Sequence, residues 1–140
     1  MPSPRFYVEL WPVSHKDSTL NFTIQIRQAD KVTLMDLSGR LTSFEGQAFR
    51  DAIQRLLRQG DNNIVLNLNG LDYLDSSGIG ELVRNYLAVV KKGGAMKVVG
   101  LAPKVEEILK ITQLYQVFPE FPDDESALES FPKSSRGVNS

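Results

Sequence analysis

Apolar and polar positions alternate through "FTIQIRQ" (Phe22 to Gln28), with Phe22, Ile24 and Ile26 sharing one side. That period of two is the mark of a half-buried strand. "ADK" turns the chain into "VTLMDLSG" (Val32 to Gly39), so the two runs are predicted to form a hairpin. The period then lengthens. Phe49, Ala52, Ile53, Leu56 and Leu57 follow helical spacing, with Ser43 as the expected N-cap and Gly60 as the stop. "NIVLNLNG" (Asn63 to Gly70) is a nearly continuous apolar run, as expected of a central strand covered on both faces. Ile79, Leu82, Val83, Tyr86, Leu87 and Val90 then make one apolar helical stripe that ends at "KKGG". "AMKVVGLA" predicts a fourth strand, "PKVEEILKITQLY" a helix entered at Pro103, and "PDDESALESF" a short last helix capped by Asp123.

The order β-β-α-β-α-β-α-α predicts an α/β fold. It is a small layer of four to five mostly parallel strands with an N-terminal antiparallel hairpin and helices packed against the sheet. Residues 1–20 mix prolines with Phe6, Tyr7 and Trp11. They are expected to be either a loosely ordered extension or an extra edge strand, and Trp11 could pack on the sheet or on a second copy of the chain as a homodimer contact. The domain proper is expected over residues 21–131. The polar tail 132–140 is expected to be disordered.

Composition narrows the chemistry. At 140 residues with 41% hydrophobic and 24% charged positions, one soluble globular domain is expected. A formal charge of −1 gives no basic field, so no nucleic-acid partner is expected. The absence of cysteine rules out thiol nucleophiles and Zn–Cys sites. No segment has signal-peptide character or the ~20 apolar residues of a membrane span, so the expected location is cytoplasmic, with no membrane partner.

The chemistry-bearing stretch is "LDYLDSSGIGELV" (Leu71 to Val83), where two serines precede the strongest helix. A serine nucleophile needs a base, yet the single histidine is His15, in the N-terminal extension. Neither serine lies in a Gly-x-Ser-x-Gly elbow or a Ser-x-x-Lys arrangement. A phosphate-binding loop of the Gly-x-x-x-x-Gly-Lys type is also missing. Hydrolase and nucleotide-binding readings thus lack support in the residues, and two others have it. Asp75, Ser76 and Ser77 are all good cap residues, so the motif can be a helix start alone. Alternatively, a serine here can accept phosphate, which the helix dipole and free N–H groups tolerate. With Asp72, Asp75 and Glu81 close in sequence, a phosphate would then make this rim strongly negative. Lys91-Lys92 is expected to match its helix end, and Tyr73 to be a packing residue beside the loop.

The segment from Ile64 to Phe121, with its apolar strand leading into "LDSSGIG", "GG" before the next strand and "V…IL…L…F" in the helix after it, resembles the STAS family. The likeness is to bacterial anti-sigma factor antagonists, and it spans about Phe22 to Phe131. The resemblance implies a binding protein without catalytic residues, metal or cofactor. Its partner would be an anti-sigma factor that is also a serine kinase of the histidine-kinase-like ATPase fold, and binding would release a sigma factor for RNA polymerase. That kinase would phosphorylate Ser76, blocking rebinding, and a PP2C-type phosphatase would restore it. Asp75 and Ser77 would shape the loop and contact the kinase, while Gly78 and the helix through Ile79 would form much of the surface. Antagonists of the family carry Gly-Glu-Leu-Asp after the second strand. This chain reads "SGRLTS" instead, so Arg40 and Thr42 stand where the two acids are expected, which implies either a different kinase or a different branch of the family. The alternative within the family is a scaffold module, or a subunit of a lipid-transport ATPase, that binds its partner without phosphorylation.

Overall fold

The computed structural model describes residues 8–11, 22–100, 103, 106, 107, 110 and 120–132. Six strands form one sheet in sequence order. They are β1 (Val8–Trp11), β2 (Phe22–Ala29), β3 (Val32–Leu41), β4 (Asn63–Leu74), β5 (Ala95–Val99) and β6 (Glu120–Phe121). β1, β2 and β3 pair antiparallel, whereas β3, β4, β5 and β6 pair parallel. The predicted α/β layer with its N-terminal hairpin is therefore present. The two-residue β6 and the edge strand β1 bring the sheet to six strands. Asp30 makes the tight β2–β3 turn with φ of 59°, a left-handed conformation that Asp tolerates.

Helices α1 (Ser43–Arg58) and α2 (Ser76–Lys91) follow β3 and β4, and a short α3 (Asp124–Glu129) comes last. Asp123 caps α3, its Oδ1 accepting from the Ser126 N–H at 2.8 Å. Between β5 and β6 the backbone at Pro103, Glu106, Glu107 and Lys110 is helical, and Lys110 pairs with Glu106 at 3.4 Å. The rest of the helix predicted there, His15 and residues 133–140 lie outside the described residues.

Successive strand residues point to opposite faces, and each face has its own apolar cluster. Phe22, Ile24, Ile26, Met35, Leu37, Leu41, Ile64, Leu66 and Leu68 meet α1 and α2 through Phe49, Ile53, Leu56, Ile79 and Leu82. On the other face Ala29, Val32, Leu34, Val65 and Val99 lie under Ala127 and Phe131. Ile64, Val65 and Leu66 are all fully buried, as the unbroken apolar run required. A polar latch holds α3 to this second face. Arg27 donates to Asp36 and to Asp124 at 2.8 Å each, and Asn67 Nδ2 donates to Asp124 at 2.9 Å. Beside it, Lys97 lies over the Phe131 ring at 4.2 Å and donates to Ser130 Oγ at 2.8 Å.

Three boundaries beside the motif turn differ from the sequence expectation, each for a visible reason. β3 runs on to Leu41 and β4 to Leu74, since both leucines are buried against the helices. β4 passes straight through Gly70, with register shifts between Asp36 and Ser38 and between Gly39 and Arg40. The N-cap of α1 is Thr42, not Ser43. Thr42 is extended and its hydroxyl accepts from the Phe44 N–H at 3.2 Å. The Glu45 carboxylate accepts from the Thr42 N–H at 2.8 Å, closing a capping box.

Candidate functional site

The parallel pairing of β3 with β4 determines what the rim looks like. Arg40 lies opposite Tyr73 and Leu41 opposite Leu74. The next residue on each strand, Thr42 and Asp75, is the N-cap of a helix. Two helix N-termini therefore open side by side at the C-terminal ends of the two central strands.

Asp75 alone takes the capping role. Its backbone is extended, with φ of −109° and ψ of −174°, and its Oδ1 accepts from the Gly78 N–H at 2.8 Å. Ser76 and Ser77 are the first two helical residues, and both are exposed. Neither hydroxyl has a hydrogen bond among the described residues. The cap that the sequence offered to any of the three residues thus falls to the aspartate, which leaves both serine hydroxyls facing solvent.

Gly78 is buried where α2 crosses the end of β3. A Cβ on it would sit 2.1 Å from the Leu41 carbonyl oxygen and 2.7 Å from Leu74 Cδ1, so the turn closes this tightly only with glycine. Ile79 is 8% exposed and belongs to the core. Gly78 and Ile79 therefore shape the rim from below. Thr42 is half-buried, with its hydroxyl committed to the capping box.

Glu81 does not add to a negative rim. It is 4% exposed and sits between α1 and α2, where Oε2 accepts from Arg50 at 2.7 Å and from Arg84 at 3.0 Å. Burial opposes its ionisation, but hydrogen bonds and charge from Arg50 and Arg84 outweigh that and hold the carboxyl below its usual range. A carboxylate with a depressed folded pKa stabilises the fold above its unfolded pKa of about 4.3, and that contribution is lost as pH falls through the folded value. The stability gap between wild type and Glu81→Gln, measured by urea unfolding, should therefore be constant above about pH 5.5 and shrink below about pH 4.5. A gap that is flat down to pH 3 would show that the bridge does not act through ionised Glu81.

The apolar stripe of α2 is turned from the one the sequence suggested. Glu81, Asn85 and Val89 are buried, while Leu87 and Val90 are 56% and 44% exposed. Asn85 is accommodated because its Nδ2 donates to the Glu81 carbonyl at 2.7 Å. Gly46 on α1 makes room for the bridge, since a Cβ there would lie 2.7 Å from Glu81 Cγ.

Tyr73 is not the packing residue expected of it. It is 42% exposed, with the Arg40 guanidinium 4.1 Å above its ring centroid. Phe44, in the first turn of α1, is 71% exposed. Sequence reasoning passed over Phe44, Arg50 and Arg84. An apolar residue in the first turn of the helix, outside the helical stripe, was the one signal available for Phe44.

Among the described residues no helix is long and apolar enough to cross a membrane. Residues 23–127 match the STAS domain family. An anti-sigma F factor antagonist from Paenibacillus polymyxa is 33% identical over 113 residues, which cover 78% of this chain and 94% of that protein. Among solved structures, an anti-sigma factor antagonist from Mycobacterium paratuberculosis superposes with a TM-score of 0.70 at 25% identity, covering 78% of this chain and 92% of the other. The Bacillus cell fate determinant SpoIIAA in its phosphorylated form shares the fold, with a TM-score of 0.61 at 19% identity over 76% of this chain and 96% of its own. The chain belongs to the STAS domain family, and the relatives named here at 25% identity or above are anti-sigma factor antagonists.

Proposed function

We propose that this protein is an anti-sigma factor antagonist switched by phosphorylation of Ser76. It binds a cognate anti-sigma factor that is also a serine kinase, and binding frees a sigma factor. The observation that carries this reading is the division of labour in the Asp-Ser-Ser-Gly turn. Asp75 caps the helix, so Ser76 stands exposed with an unengaged hydroxyl at the positive end of α2.

In the switching step the Ser76 oxygen attacks the γ-phosphorus of the kinase's ATP. The bond to ADP breaks, and the hydroxyl proton passes to a carboxylate of the kinase. The antagonist supplies no base and no metal ligand for this; it supplies a hydroxyl in a fixed position. A PP2C-type phosphatase reverses the modification by hydrolysis. Ser76, Ser77 and Asp75 meet the partner directly, Arg40 and Thr42 line the neighbouring helix start, and Gly78 and Ile79 set the shape of the turn. The names of the relatives support the antagonist part of this reading.

The test is affinity capture from host lysate with Ser76→Ala and Ser76→Glu proteins as baits. The reading predicts that a serine kinase of the histidine-kinase-like class is held by the alanine form and lost from the glutamate form. Equal recovery on both baits would mean that Ser76 is not a switch, and that the domain binds its partner constitutively.

A further inference from the structure

Ser76, Gly80 and Arg84 follow one another at intervals of four, so they lie along a single solvent-facing strip of α2. Arg84 folds back toward the helix N-terminus. Its Nη2, Nη1 and Cζ atoms lie 3.5, 3.8 and 3.9 Å from the point that a Gly80 Cβ would occupy. The side chain is 65% exposed, and its ionic contact is Glu81 Oε2 at 3.0 Å. Arg50 binds the same oxygen at 2.7 Å, so Glu81 keeps a counter-ion if Arg84 leaves.

We propose that Arg84 receives the phosphoryl group on Ser76, exchanging Glu81 for the phosphate along the path that Gly80 leaves open. This rests on Ser76 being the acceptor and adds how the modified state is held. Cβ atoms four residues apart on a helix are about 5–6 Å from each other. The guanidinium already rests above position 80, so the phosphate oxygens on Ser76 come within reach of a change of rotamer in a long, exposed side chain. The competition favours the phosphate. It carries a charge of about −1.5 to −2, whereas the Glu81 carboxylate offers one charge that Arg50 also uses. The planar guanidinium can bind two phosphate oxygens at once. In the modified protein Arg84 and the phosphate would together cover the first two turns of α2, the surface that the unmodified protein offers its partner.

The experiment uses the full chain with phosphoserine installed at position 76 by genetic encoding, so its result does not depend on whether a cellular kinase uses that residue. The readout is a ³¹P NMR titration of the phosphate. The other charges near position 76 are Asp72 and Asp75 on its own side, Arg40 across the rim on β3, and Arg50 and Glu81 at the α1–α2 contact; all are unchanged between the variants compared. Arg84→Gln should raise the second phosphate pKa by roughly half a unit or more. Gly80→Leu, which keeps the arginine and fills its path, should raise it likewise. Lys91→Gln removes the same charge two turns away and should leave it in place. The proposal is overturned if Arg84→Gln titrates like wild type, or if Lys91→Gln moves the pKa as far as Arg84→Gln does.

Discussion

Gly78→Ala should lower the stability of the domain by about 3 kcal/mol, at the upper end of overpacking effects, and its melting temperature by roughly 10 °C. The added methyl group would fall 2.1 Å from the Leu41 carbonyl oxygen, with the Leu41 carbonyl carbon 3.0 Å away. That neighbour is backbone, paired in the sheet opposite Leu74, and it cannot rotate aside as a side chain can. The first turn of α2 would have to lift off β3, disturbing the cap at Asp75 and the burial of Ile79 and Leu82. Gly80→Ala is the internal control. The nearest atom to its Cβ would be Arg84 Nη2, at an ordinary contact distance of 3.5 Å, and alanine favours the helix by about 1 kcal/mol over glycine, so that variant should melt at or above wild type. Thermal unfolding followed by circular dichroism separates the two. Equal melting temperatures would refute the claim that position 78 is closed to any side chain.

The second large effect concerns binding. Phosphoserine at position 76 should weaken affinity for the captured anti-sigma factor at least about 100-fold, which is about 2.7 kcal/mol, while leaving the melting temperature within a few degrees. The two halves have different physical causes. The fold tolerates the phosphate because Ser76 is exposed, makes no hydrogen bond among the described residues that could be lost, and sits at the positive end of a helix dipole. A partner that buries the rim instead has to strip water from a dianion beside Asp75 that one arginine neutralises only in part, and burying charge that is not fully paired is strongly unfavourable. Isothermal titration of the two forms reads the first half and calorimetric melting the second. A modified protein that binds as tightly as the unmodified one would refute the switch.

Much of this architecture was legible in the sequence because it rests on periods. The alternation of Phe22, Ile24 and Ile26, the unbroken Ile64-Val65-Leu66 run and the helical spacing in α1 and α2 each required the element that formed. What stayed hidden depended on contacts between distant positions. Glu81 reads as a surface acid until Arg50, thirty-one residues earlier, arrives beside it across the α1–α2 contact. Its burial with Asn85 turns α2 so that Leu87 and Val90 face solvent. Thr42 displaces Ser43 as cap because β3 continues to Leu41, paired with Leu74. The Thr42-x-x-Glu45 spacing was nonetheless a readable capping-box signal. The motif turn was legible in kind but not in assignment. Asp75, Ser76 and Ser77 are all cap residues, and the geometry of the Gly78 N–H decides that the aspartate is the cap.

The account depends most directly on which hydroxyl accepts phosphate. The measurement is to incubate the purified protein with the anti-sigma factor recovered on the Ser76→Ala bait, together with ATP and Mg²⁺, and to map the product by tandem mass spectrometry. The account predicts one phosphate, on Ser76, and none on the Ser76→Ala protein even though Ser77 is intact. Phosphate on Ser77, or on neither serine while the kinase modifies a known substrate, would contradict it.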